Sequence, residues 1–142
     1  MKRPLQKKIL LDNKTITASG WQVYEIPFTD QFDDYILEAS VANTTGQSPT
    51  LDLYWQQSLD GGTTWLDIVR LGSFITDTAS NIYFHGGDGS YQVSHYGFFG
   101  NALGDGTAHP FGMAVLLSDK VRLKWVVGAV SSFDVSVKMY YA

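Results

Sequence analysis

Three histidines, His85, His95 and His109, are the side chains of this chain best suited to bind a metal or to move protons near neutral pH. Their spacing fits no metal-ligand signature, and the chain contains no H-E-x-x-H pair. The pattern therefore favours ordinary loop histidines over a metal or catalytic site.

Paired carboxylates could also do chemistry, and Asp33 and Asp34 are adjacent. A glycosidase needs two carboxyl groups that converge across about 5 to 10 Å. Neighbouring residues of a strand point to opposite faces, so a solvated turn explains this pair better. The runs GGDGS and GDGT lack the alternating oxygen ligands of a calcium loop, and neither a phosphate-binding loop nor G-x-S-x-G occurs. We expect no enzyme, no metal and no cofactor.

The run SLDGGTTW has the spacing of an Asp-box hairpin, given by Ser58, Asp60, Gly62, Thr64 and Trp65. This run resembles the Asp-box hairpins of sialidase propellers. A propeller needs at least four blades of about 40 residues each. The motif occurs once in 142 residues, so the sialidase interpretation fails on length. Asp, Ser and Thr side chains can satisfy turn backbone groups and glycine accepts positive φ, so we predict a structural turn.

Exposed tryptophan can stack on sugar rings, which makes a carbohydrate-binding module a competing hypothesis. Trp125 and Trp55 alternate with apolar residues that face inward, and Trp65 belongs to the turn. Only Trp21 is left as a plausible exposed ring. Core tryptophans are therefore the favoured interpretation.

Composition indicates one globular domain with an acidic body. The chain has 142 residues, 44% of them hydrophobic, no cysteine and a net charge of −4. Basic residues cluster in a predicted N-terminal arm over residues 1–12, namely Lys2, Arg3, Lys7 and Lys8. An acidic body argues against nucleic-acid binding. We see no export signal and no apolar run long enough to cross a membrane, and expect a soluble protein.

Alternating apolar residues predict an all-β domain over residues 13–142, with seven or eight short antiparallel strands in a β-sandwich or jelly roll. Leu51, Leu53 and Trp55 before the turn predict one hairpin. The runs VRLKWVV and FDVSVKMYY, joined by GAVSS, predict a second hairpin at the C-terminus. Further predicted strands lie at 21–28, 35–43 and 111–118, with short ones in KKILLD and KTITA.

Residues 77–110 interrupt this pattern with a long excursion rich in glycine and aromatics. Long loops inside compact domains tend to be functional or disordered, and the aromatics favour an interaction surface. We expect a short hairpin through Tyr83 and Tyr91. The predicted partner contacts of the excursion are Tyr83, Phe84, Tyr91, Tyr96, Phe98 and Phe99, which would act together with the basic arm.

Three stretches together, SPTLD, S-x-DGGTTW and R-x-x-W-x-V-G, resemble small virion structural proteins of tailed bacteriophages. The resemblance covers residues 35–75 and 120–142. It implies a β-sandwich or jelly-roll protein of the virion, made in the host cytoplasm and placed on the head as a decoration or cement protein. The implied partners are the major capsid protein or other virion proteins. The chain is also expected to form a homo-oligomer, with a trimer as the expected state. A carbohydrate-binding or receptor-binding module of the phage neck or tail is the alternative.

Overall fold

The computed structural model describes residues 5–26, 35–86, 89–92, 118 and 120–141, with the backbone alone for 84–86 and 89–92. All regular structure in these residues is β-strand, as the alternating sequence predicts. Across this part of the chain, no helix is long and apolar enough to span a membrane.

Nine strands occur in the described residues, against the seven or eight predicted. Their bounds are β1 Gln6–Ile16, β2 Gly20–Glu25, β3 Tyr35–Gly46, β4 Thr50–Gln57, β5 Leu66–Phe74, β6 Thr78–Gly86, β7 Gly89–Gln92, β8 Lys120–Gly128 and β9 Ser131–Tyr141. The runs KKILLD and KTITA form one strand, β1, whose register shifts twice between Ile9 and Lys14. Asn13 has a φ of 48° there, which suits the irregular backbone of a β-bulge.

The strands form two antiparallel sheets. One has five strands in the order β1-β9-β3-β6-β7, and the other has four in the order β2-β8-β4-β5. Apart from β7, this is the interleaved strand order of a two-sheet jelly roll. The predicted β-sandwich or jelly-roll fold is confirmed.

The predicted C-terminal hairpin is wrong. Strand β8 pairs with β2 and β4, whereas β9 pairs with β1 and β3 in the other sheet. The connection, with Ala129 at a φ of 62°, therefore crosses from one sheet to the other. Two strands that each bury one face have the same alternating pattern whether they are neighbours or face each other across the core, so alternation could not separate the cases.

Two predicted boundaries also change. The arm proposed for residues 1–12 is a paired strand from Gln6 onward, because its backbone bonds to β9. The excursion 77–110 begins with β6, which pairs with β3, and continues into the predicted hairpin with β7. Of the predicted strand 111–118, only Ser118 lies within the described residues, and it is not part of a strand.

The inner faces of the two sheets build one apolar core. Its fully buried members come from both sheets and include Leu37, Leu51, Leu53, Trp55, Val121, Leu123, Phe133, Val135, Val137 and Met139. They stand at alternate positions of β3, β4, β8 and β9, as the sequence pattern predicts. Shifting one of these strands by a single residue would bring charged side chains into the core.

Side-chain hydrogen bonds between described residues join the sheets across this core. Trp55 Nε1 donates to Tyr35 Oη at 3.0 Å, and Asn81 Nδ2 donates to the Leu71 carbonyl at 2.5 Å. Tyr24 Oη donates to the Leu10 carbonyl at 2.5 Å. Burial raises the pKa of Tyr35 well above its usual value, so this hydroxyl stays neutral while it accepts the hydrogen bond from Trp55. Such satisfied polar groups fix how the two layers align.

Candidate functional site

The Asp-box turn between β4 and β5 is held together by its own polar side chains. Asp60 Oδ1 accepts hydrogen bonds from Thr64 N at 2.8 Å, Thr63 N at 3.1 Å and Ser58 Oγ at 2.8 Å. Ser58 Oγ in turn accepts from Gly62 N at 2.8 Å. The backbone N–H of Thr64, the Ser58 hydroxyl and the other donors lower the pKa of Asp60 to about 2. The carboxylate is thus engaged in organising the turn.

Lys120 of β8 ties the turn to the neighbouring strand. Its Nζ donates to the Gly61 carbonyl at 3.0 Å and lies 3.5 Å from Glu25 Oε1, while its backbone carbonyl accepts from Ser58 N at 3.0 Å. Gly62 has a φ of 102°, and a Cβ there would stand 3.1 Å from Lys120 Cδ. The positive φ therefore favours glycine, and a larger residue would also press on the Lys120 side chain. These contacts fit the predicted structural role of the motif.

Trp65, the last residue of the motif, stacks on a guanidinium group. Arg122 Cζ lies 4.5 Å from the ring centroid of Trp65 and 5.2 Å from that of Trp21. Arg122 Nε donates to Gln56 Oε1 at 2.6 Å, and Gln56 Nε2 donates to Asp67 Oδ1 at 2.7 Å. One cation thus links two indole rings and a polar row that crosses β8, β4 and β5.

Sequence reasoning missed this row. Arg122 alternates with the apolar Val121 and Leu123, which predicts a solvated side chain, whereas Arg122 is only 6% exposed. Gln56 and Asp67, both buried, were not among the predicted site residues. The register sets Gln56 opposite Arg122 on one side and Asp67 on the other. The rings that cover Arg122, Trp65 and Trp21, are distant from it in sequence, so no local signal identifies the row.

The four tryptophans divide as the sequence predicts. Trp55 and Trp125 are buried in the core and Trp65 is half-buried at the turn. Trp21 is 60% exposed, on the outer face of the four-stranded sheet. It is the one tryptophan of the described residues whose ring is mostly open to solvent.

One register row crosses the whole five-stranded sheet. Lys7 pairs with Tyr140, Tyr140 with Ile36, Ile36 with Phe84, and Phe84 with Tyr91. Three of the predicted contact positions, from separate parts of the chain, therefore meet in one line of backbone positions. Ile36 and Tyr140 alternate with buried residues, so their side chains lie on the outer face of the sheet.

The next outward row adds more apolar surface. Ile9 pairs with Lys138, Lys138 with Glu38, and Glu38 with Ile82. Ile9 is 51% exposed. We call the apolar and basic residues of the two rows, which are partly or fully exposed, the five-strand face: Lys7, Ile9, Ile36, Ile82, Lys138 and Tyr140. Glu38 lies between Lys138 and Ile82 in the second row.

Tyr83 was wrongly predicted to contact a partner. It is 1% exposed and packs edge-on against Tyr35, with ring centroids 6.2 Å apart. The register pairs it with Leu37, an inward residue of β3. Since Ile82, Tyr83 and Phe84 are all large and apolar, alternation could not show which of them faces the core.

The remaining predicted contacts are placed as follows. Lys8 lies in β1, half-buried and paired with Met139. The side chains of Phe84 and Tyr91 and all of Lys2, Arg3, Tyr96, Phe98 and Phe99 lie outside the described residues, as do the His85 side chain, His95, His109, Asp33 and Asp34. Among the residues that are described, no cluster of three or more His, Cys, Asp or Glu could hold a metal.

Comparisons with known proteins add little to this geometry. No protein-family model matches the chain, and no curated protein matches it in sequence. A solved structure with a similar outline is the Yersinia pseudotuberculosis-derived mitogen (YPM), at 13% identity and a TM-score of 0.39, over 96% of this chain and 84% of that one. At this level of similarity, nothing about binding or activity carries over from that protein.

Proposed function

We propose that this chain is a non-enzymatic structural protein of a phage virion, a decoration or cement protein that docks on the head through the five-strand face. The observation that carries the proposal is the register row of Lys7, Phe84 and Tyr91. Contact positions chosen from separate stretches of sequence come together on one sheet, beside the outward Ile36 and Tyr140.

The resemblance to small virion proteins supports the same assignment. Its three stretches fall on β4, on the turn to β5 and on β8, which are neighbouring strands of the four-stranded sheet. They therefore describe one structural unit rather than three isolated coincidences. That unit is the sheet opposite the proposed docking face.

Docking would act through burial. A specific interface covers on the order of 800 Å² per partner, and many copies that each bind folded shell proteins raise the stability of the assembled particle. Ile9, Ile36, Ile82 and Tyr140 supply apolar contact area. Lys7 and Lys138 suit an acidic shell surface, as would Lys2 and Arg3, and Phe98 and Phe99 complete the proposed contacts.

A charge placed in the five-strand face tests the proposal. Ile9→Asp should prevent the protein from joining purified virions, whereas Ile75→Asp should not. The two isoleucines are similarly exposed, at 51% and 65%, but Ile75 lies in the bend between β5 and β6. Both variants should remain folded by circular dichroism.

Imaging of virions produced with and without the protein gives the second readout. We expect regularly spaced density on the head that disappears when the protein is absent. Equal incorporation of Ile9→Asp and wild type would refute the docking face, and the absence of the wild-type protein from virions would refute the function itself.

A further inference from the structure

Trp21 stands out because the fold does not use it for its core. Its indole is 60% exposed on β2, an edge strand of the four-stranded sheet. Val23, two residues along on the same face, is 38% exposed, and Val126 of β8 is 37% exposed. Trp21 and these two valines form a small apolar patch, and contiguous exposed apolar patches are where ligands and partners bind.

The ring is also held in a fixed place. Arg122 covers one face of the indole, so the exposed area lies on the opposite face and the edge. Arg122 is itself nearly buried, bonded to Gln56 and stacked on Trp65. A ring supported in this way loses little freedom when a ligand stacks on it, which favours affinity.

A polar side chain lies beside the ring. Lys124 is the direct cross-strand partner of Trp21, and partners in an antiparallel pair share a face. Glu25 is on the same face of β2, but it is four residues from Trp21, about 13 Å along the strand, and its carboxylate pairs with Lys120 at 3.5 Å. An ammonium group next to an aromatic ring suits a ligand with hydroxyls around an apolar face.

We infer that Trp21, with Lys124, forms a carbohydrate-binding site on the outer face of the four-stranded sheet. The ligand class is a glycan whose pyranose ring lays its C–H face on the indole while a hydroxyl accepts a hydrogen bond from the neighbouring ammonium group. The site lies on the sheet opposite the five-strand face. It therefore stands or falls independently of the proposed docking function.

The test is direct binding to a panel of immobilised glucose, galactose and N-acetylglucosamine oligosaccharides and purified bacterial O-chains. The strongest ligand is then titrated in solution by calorimetry, whose signal does not depend on the tryptophan that is replaced. Trp21→Ala should weaken binding about tenfold or more, the factor that corresponds to about 1.4 kcal/mol. Trp21→Phe, which keeps an aromatic face, should retain a measurable part of the affinity.

Val130→Ala is the matched control, since Val130 is 94% exposed but lies in the turn between β8 and β9. It should bind as wild type does. The inference is overturned if wild type binds no member of the panel at millimolar concentration, or if Trp21→Ala binds as well as wild type. A third outcome also overturns it: the wild type binds no glycan but self-associates in sedimentation, and Trp21→Ala reduces that self-association. The face would then bind a second copy of the chain.

Discussion

Replacing Arg122 by methionine removes the group that links the turn, β2 and the polar row. The guanidinium is nearly buried, bonded to Gln56 at 2.6 Å and stacked between Trp65 and Trp21 at 4.5 and 5.2 Å. Methionine keeps an unbranched apolar stem of similar reach. The change therefore tests the charge and its contacts rather than the volume.

The expected loss follows from these contacts. A hydrogen bond from a charged donor contributes about 1.5–3 kcal/mol, and each cation–π contact contributes roughly 0.5–2 kcal/mol depending on its desolvation. Burying the guanidinium offsets part of this gain. We expect a net loss of about 2–3 kcal/mol in the free energy of unfolding, which for a chain of this size lowers Tm by roughly 6–12 °C.

Urea denaturation followed by circular dichroism measures the loss, and the control is Lys138→Met. Lys138 is half-exposed on the outer face of the other sheet, so its replacement should change stability by no more than about 0.5 kcal/mol. Adding Trp65→Leu to each background should show a coupling of about 1 kcal/mol with Arg122. An Arg122→Met protein as stable as wild type would refute the view that this cation organises the outer face.

Two further variants address the turn and the core. The pKa of Asp60 is depressed, so its charge stabilises the fold at pH values above the usual pKa of the group, and this contribution is lost as pH falls from about 4 toward about 2. The Tm difference between wild type and Asp60→Asn should therefore be largest at neutral pH and shrink across that interval. A Tm difference that does not vary with pH would contradict the role of the charge. Tyr83→Ala should lower the free energy of unfolding, measured by urea denaturation, by about 3–5 kcal/mol because the ring is buried. A loss below about 1 kcal/mol would indicate that Tyr83 is exposed instead.

The sequence indicated those elements whose signals are local. The β4–β5 hairpin was predictable because alternation, an Asp-Gly-Gly turn and short separation all agree, and the observed register pairs Leu51 with Phe74 and Gln57 with Leu66. The same reasoning identified Trp21 as the exposed tryptophan. In both cases, the inference needed only the face of a strand and its neighbours in sequence.

Long-range pairing was beyond that reasoning. In a jelly roll, consecutive strands often lie in opposite sheets, so β8 and β9 look like a hairpin in sequence while the core separates them. The buried Arg122 was missed for a related reason. Its position on the outer face follows from its alternation with Val121 and Leu123, but the cover it receives from Trp65 and Trp21 depends on a turn and a strand that are distant in sequence.

The two-layer fold makes the docking and glycan hypotheses separable. Sheets in a sandwich pack about 10 Å apart, so the five-strand face and the Trp21 ring point in opposite directions across the core. Changes that far apart and without shared partners should act independently. Trp21→Ala should therefore leave virion incorporation unchanged, and Ile9→Asp should leave glycan binding unchanged. If Ile9→Asp, still folded by circular dichroism, abolished both, the two surfaces would be coupled and the assignment of separate docking and glycan faces would be refuted.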